Sequence, residues 1–170
     1  MDLAVFDKFD KECAENLPGE IRKILGAGKD RKISAVGFIT VDDFYGFYLC
    51  WDYNNSNIYE NYAWEQSLEP DFLYQPLVDA VDACKEIDFT TASDEKWEFA
   101  VALLSILEKH IKQVSDEIFL ENNYRRDEIL FFATMGDGDY VQKMLDTSIK
   151  MFNSAEAVEA YWQKQRQDED

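Results

Sequence analysis

The chain has 170 residues, 46% of them apolar and 15% aromatic, with 7 glycines and 3 prolines. A chain of that size and composition can bury a core without disulfide or metal staples. Seventeen basic against thirty-five acidic side chains leave a net charge of −18, which repels phosphate backbones and anionic lipid and argues against direct nucleic-acid or membrane-surface binding.

No stretch approaches the roughly 18 apolar residues of a membrane span. The acidic start, Asp2 to Asp7, lacks the basic and then apolar build of a secretory leader. Cys13, Cys50 and Cys84 are odd in number and form no paired spacing, which fits free thiols in a reducing compartment. The expectation is a cytoplasmic protein with one domain over 1–166 and a frayed acidic tail at 167–170.

In chain order, Phe6, Phe9, Cys13, Leu17, Ile21, Ile24 and Leu25 recur at helical spacing behind Asp2 as an N-cap, predicting a helix over 2–25. Pro18-Gly19 should kink or break it, because proline removes a helix hydrogen bond. Residues 33–41 and 44–53, rich in β-branched and aromatic side chains, read as two antiparallel strands around a tight Asp42-Asp43 turn. Tyr45, Phe47, Leu49, Trp51 and Tyr53 would share one face of the second strand. A polar loop over 54–57 leads to 58–64, which reads as a third strand or as an ordered aromatic segment.

Leu73, Leu77, Val81 and Cys84 predict a helix over 71–86, weakened early by Pro76. Ser93, followed by Asp94 and Glu95, should cap a long helix over 94–120 whose stripe is Trp97, Val101, Leu104, Leu107, Ile111, Val114 and Ile118. The apolar run 129–135 reads as a buried central strand. The turn Gly136-Asp137-Gly138-Asp139 then enters a helix carrying Val141, Met144, Leu145, Ile149 and Phe152, and a last helix covers 154–165. The fold class predicted is α+β: a small antiparallel or mixed sheet of three to four strands, packed by a long central helix and by N- and C-terminal helices.

Chemistry is sparse. Asp137 and Asp139 on a glycine turn resemble the start of a calcium loop, but no glutamate follows where that loop needs its bidentate ligand, so Asp139 reads as a helix cap. His110, the only histidine, reads as a partly buried structural side chain. No phosphate-binding glycine motif and no nucleophile elbow is present, so no catalytic residue, cofactor or metal is assigned. A small hydrolase or ligand-binding enzyme using carboxylates near Asp137 and Asp139 is the alternative reading, and mimicry of nucleic acid by rows of carboxylates is a third.

What is distinctive is the overlap of acids with rings. From Asp42 to Glu95 there are thirteen acids and one base, Lys85, and twelve of the twenty-five aromatic residues lie within this stretch. Aromatic anchors supply binding energy and acids steer a basic partner. The candidate partner-binding residues are Asp42, Asp43, Asp52, Tyr53, Tyr59, Glu60, Tyr62, Trp64 and Glu65, with Tyr62 and Trp64 as the centre, since no strand or helix period buries those rings automatically. At least one ring there should reach solvent.

The segment Ala35 to Asp43, the aromatic Tyr62-Ala63-Trp64-Glu65, and Leu130 to Asp139 with Ser148 and Phe152-Asn153 resemble a family of small bacterial α+β proteins of no established activity. The family carries an apolar strand closing in Ser-Asp-x-Asp, and this chain has Met135-Gly136 where the family tends to have a small residue and serine. The resemblance implies an α+β fold in a bacterial cytoplasm. By analogy with small acidic immunity proteins, it implies an immunity-like partner that occludes a basic protein such as a toxin.

Overall fold

The computed structural model describes residues 2–28, 31–53, 57–64 and 66–168. The first apolar stripe lies along one helix, α1 (Asp7–Ala27), led in by a 3-10 turn, Leu3–Phe6, that Asp2 caps by accepting the Ala4 N–H at 3.0 Å. The expected break at Pro18-Gly19 does not occur, and Pro18 lies inside α1. Cys13, Leu17 and Ile21 on either side of it are fully buried, so packing along one face outweighs the hydrogen bond that proline removes.

Among the described residues four strands follow: β1 (Ile33–Thr40), β2 (Phe47–Tyr53), β3 (Gln66–Leu68) and β4 (Leu130–Met135). They form one mixed sheet in the order β3-β2-β1-β4, with β1 antiparallel to β2 and parallel to β4. The fold is α+β with a small sheet. β2 starts three residues later than the sequence suggested, because Phe44 (φ 60°) and Gly46 (φ 95°) leave the extended conformation. Residues 58–63 form a 3-10 helix rather than a strand.

Period-two alternation sorts the sheet into two faces. Val36, Phe38, Phe47, Leu49, Trp51, Phe131 and Ala133 pack under α1, α2 (Asp71–Ala83) and α3 (Asp94–Gln113). Ala35, Ile39, Cys50, Leu130 and Phe132 face the other way, against Ile58, Leu145, Ile149 and Tyr161. Gly37 on this second face has no room for a side chain, since a Cβ there would meet the Phe132 ring and the Cys50 sulfur.

The helix predicted over 94–120 is two helices. α3 ends at Gln113, Val114 turns extended (ψ 127°), and Ser115 caps α4 (Asp116–Glu121) by accepting the Glu117 N–H at 3.2 Å. The Arg126 guanidinium closes the end of α3 by donating to the Ile111 carbonyl at 2.9 Å and to the Val114 carbonyl. The buried stripe of α3 is also rotated from the expected one: Phe99, Ala100, Leu103 and His110 are buried, whereas Trp97 and Val101 are half-exposed.

β4 is an edge strand, not a central one, although all six of its residues are buried. α5 (Val141–Phe152) packs against it, and one side chain of this helix and the residue that follows it satisfy the open edge. Asn153 accepts the Phe131 N–H at 2.8 Å and donates to the Phe131 carbonyl at 2.7 Å. The Ser148 hydroxyl accepts the Ala133 N–H at 2.8 Å and donates to its carbonyl at 2.9 Å. These side chains stand where a further strand would, which protects the edge from pairing with another chain. α6 (Ala155–Asp168) runs three residues beyond the predicted end, so 167 and 168 are helical and only 169–170 of the expected tail lie outside the described residues. Among the described residues no helix is long and apolar enough to cross a membrane.

Candidate binding site

The loop 41–46 joins β1 to β2 and is fixed from several directions. Phe44 is fully buried, with its ring 5.3 Å from Phe99 and 6.0 Å from Phe89, both edge-to-face. Holding a bulky residue at positive φ costs backbone energy that such packing must offset. The Phe44 N–H donates to the Val41 carbonyl at 3.0 Å, and Thr40 Oγ1 donates to the Gly46 carbonyl at 2.8 Å.

Asp42 anchors the same loop to α3. Its carboxylate accepts from Lys96 Nζ at 2.8 Å, and the Lys96 side chain is completely buried. The Asp42 N–H donates to Asp137 at 3.3 Å. Gly138 (φ 93°) is needed beside this pair, because a Cβ there would overlap the Asp42 carboxylate. A buried ammonium requires a charged partner, so Asp42 is committed to the fold.

With Phe44 turned inward, Tyr45 turns outward and is 43% exposed. It reaches α2, where its hydroxyl donates to Asp82 at 3.4 Å. Tyr74, also on α2 and 51% exposed, lies directly over Gly46, and any side chain at 46 would displace the ring. Between the loop and the start of α2 opens a cleft of about 360 Å³. Tyr45 and Tyr74 wall it, Ile39, Val41 and half-buried Tyr48 contribute its apolar surface, and Glu69 and Asp71 add two carboxylates. Among the described residues no lysine or arginine lines it. The neighbouring acids Asp82 and Asp43, with partial burial, raise the Tyr45 pKa, and burial followed by Cys50 and Glu69 raises that of Tyr48. Both phenols therefore stay neutral at physiological pH, able to donate a hydrogen bond and to present an uncharged ring.

The residues singled out from sequence are not one patch. Asp42 and Asp43 stand at one end of β2 and Asp52 and Tyr53 at the other, about 20 Å away over seven strand residues. At that far end the Arg31 guanidinium lies 4.2 Å from the Tyr53 ring centre, and Trp51 Nε1 donates to the Tyr53 hydroxyl at 3.3 Å. Tyr59 is 42% exposed but stacks on Trp162 of α6, 5.8 Å away at 25°. Glu60 is exposed beside it. Trp64 is half-buried and meets Phe132 edge-on at 5.6 Å, with its indole nitrogen buried and without a hydrogen-bond partner among the described residues. Glu65 lies outside the described residues, and of Tyr62 only the backbone is described, in the 3-10 helix. The rings of 57–64 that are described thus pack α6 onto the second sheet face.

Tyr45, Tyr48, Tyr74, Glu69 and Asp71 were missed as a site. One signal was available: Tyr74 lies off the Leu73, Leu77, Val81 stripe, which puts a large ring on the outward side of α2. The proximity of loop 41–46 to α2 has no local signature.

The remaining chemical candidates resolve into structural roles. Asp137 and Asp139 are both exposed, without the contrasting burial that acid–base pairs need. Asp139 does not cap α5, which begins after Tyr140 with no side-chain cap. The Tyr140 hydroxyl instead accepts the Ser93 N–H at 2.9 Å and donates to its carbonyl at 2.7 Å. His110 is 4% exposed, more deeply buried than expected, and Nε2 lies 2.7 Å from Asp10, which also holds Lys109 at 2.7 Å. Burial raises the Asp10 pKa, but the hydrogen bonds and charges of Lys109 and His110 outweigh it and leave that pKa lowered. Cys13, Cys50 and Cys84 are free and buried; desolvation pushes Cys50 up to about 12 and raises the other two. Among the described residues no group of His, Cys, Asp or Glu is placed to hold a metal ion. Comparison of the chain with protein-family models, with curated proteins and with solved structures finds no match.

Proposed function

We propose that the chain is a noncatalytic protein-binding module that engages a basic protein partner through the tyrosine-walled, acid-rimmed cleft between loop 41–46 and α2. The observation that carries this reading is the cleft itself: exposed rings held in place beside carboxylates, with no base among its lining residues. Large apolar side chains that remain exposed beside such a depression are where binding energy concentrates, and the surrounding charge of −18 steers a cationic protein toward it. An immunity-like role, occluding a basic toxin in a bacterial cytoplasm, is the form of this function that the family resemblance suggests.

The test is capture from lysate of the native cells by wild-type chain and by a Tyr45→Ala/Tyr74→Ala double variant, at about 50 mM and about 500 mM salt. A basic protein retained by the wild type at low salt, weakened at high salt and lost with the double variant is the expected result. Equal retention by both chains, or no basic protein at either salt, refutes the proposal.

A further inference from the structure

We infer that the cleft between loop 41–46 and α2 is an arginine-recognition site, receiving one arginine side chain of the partner between the Tyr45 and Tyr74 rings with its guanidinium toward Glu69 and Asp71. The inference rests on the binding function proposed above and names the chemistry of its anchor.

Charge complementarity identifies the occupant. Among the described residues two carboxylates and no base line the cleft, and neither Glu69 nor Asp71 is held in an ion pair, unlike Asp79 of α2, which Lys8 neutralises at 2.6 Å. The ligand should therefore be a cation. Its shape follows from the walls. A guanidinium is planar and weakly hydrated, stacks on aromatic faces and forks onto carboxylates, whereas an ammonium is a compact, strongly hydrated point charge. Three tyrosines and an apolar floor of Ile39 and Val41 suit the first better than the second. An arginine also carries a three-carbon stem that can lie along that floor while its head meets the rim.

The cleft is built to keep this form. Gly46 at φ 95° leaves the space that the Tyr74 ring occupies beside the backbone, and with Phe44 locked in the core Tyr45 stays at the surface, where it lines the same cleft. A preformed site loses little entropy on binding, which favours capture of a single side chain.

The experiment is an amide-resolved NMR titration of the full chain with the peptide acetyl-Gly-Gly-Arg-Gly-Gly-amide and with its lysine and citrulline counterparts. Expected are saturable shifts centred on Val41, Tyr45, Gly46, Tyr48 and Tyr74, with arginine at least ~5-fold tighter than lysine and no saturation by the uncharged citrulline peptide. Tyr74→Ala should weaken arginine binding about 10-fold or more while leaving the rest of the spectrum unchanged. Gly46→Ala should do the same although every ring is retained, because it displaces Tyr74. Shifts centred elsewhere, equal affinity for lysine and arginine, or an unaffected Tyr74→Ala chain overturns the inference. If a basic protein is still captured by the wild type while the arginine peptide fails, the anchor is wrong and the binding function stands. If the peptide saturates the cleft but no basic protein is captured, the reverse holds.

Discussion

Loop 41–46 and segment 57–64 both interleave rings with acids, but in sequence the first reads as a turn between two alternating strands and only the second lacks a helix or strand period. In the fold they do opposite things. Segment 57–64 puts its rings to structural use: Trp64 meets Phe132, Tyr59 stacks on Trp162, and the Ile58 N–H donates to the Tyr161 hydroxyl at 3.2 Å. Of its two rings, loop 41–46 buries Phe44 and holds Tyr45 at the surface, in the cleft that Tyr74 also lines. A ring is free to bind only when the surrounding structure has other means of filling its own core, and here α1, α2 and α3 already fill the first face of the sheet. Acids divide in the same way. Asp42 and Asp10 are tied to Lys96 and to the Lys109–His110 pair, while Glu69 and Asp71 line a cleft without a base.

The largest effect that bears on this contrast is expected at Asp42. Asp42→Ala leaves the Lys96 ammonium buried without a partner and should cost about 3–5 kcal/mol in chemical denaturation. Lys96→Met should cost distinctly less, since the partly exposed Asp42 carboxylate can turn to water. If the two variants are equally destabilised, Asp42 is not the counter-ion that fixes the loop. Trp64→Ala comes next, at about 1–3 kcal/mol, because it removes a packed ring from the second face. A smaller loss there, with partner binding abolished, would return the site to the segment that the sequence favoured.

Asp10 tests the acids the fold uses. Its folded-state pKa is lowered, so the stability it contributes is present above the unfolded carboxylate pKa and is lost as pH falls through the folded value. Asp10→Asn should therefore lower stability at neutral pH by no more than about 1 kcal/mol, because both Asp10 and Lys109 are partly exposed. The difference from wild type should vanish in strong acid, and denaturation at both pH values measures it. The smallest change in stability is expected for Tyr45→Ala and Tyr74→Ala, within about 0.5 kcal/mol for exposed rings. A thermal scan showing either of them as costly as Trp64→Ala would erase the distinction between binding rings and packing rings.

The amino-acid order by itself determined the class and most of the elements. Helical and alternating periods record which side of each segment meets a core, and that signal survives in a single chain, so α1, β1, α2, β4, α5 and the start of α3 are legible. It carried the acidic balance and its clustering from Asp42 to Glu95 as well. The missed break at Val114-Ser115 was also local: a serine followed by two acids is a helix start, masked by an apolar stripe that continues across it.

Other features were decided only in three dimensions. Pro18 stays within α1 because both sides of it are packed, and β4 lies at the sheet edge because Ser148 and Asn153 complete its hydrogen bonds. Lys96 is buried because Asp42, fifty-four residues earlier, meets it. The cleft depends on Gly46 and Tyr74 from different elements lying in contact, and on Phe44 filling a space between Phe89 and Phe99. Each is a contact between residues far apart in the chain. Local propensity and period describe only neighbours, so they cannot say which rings the core will take and which it will leave at the surface.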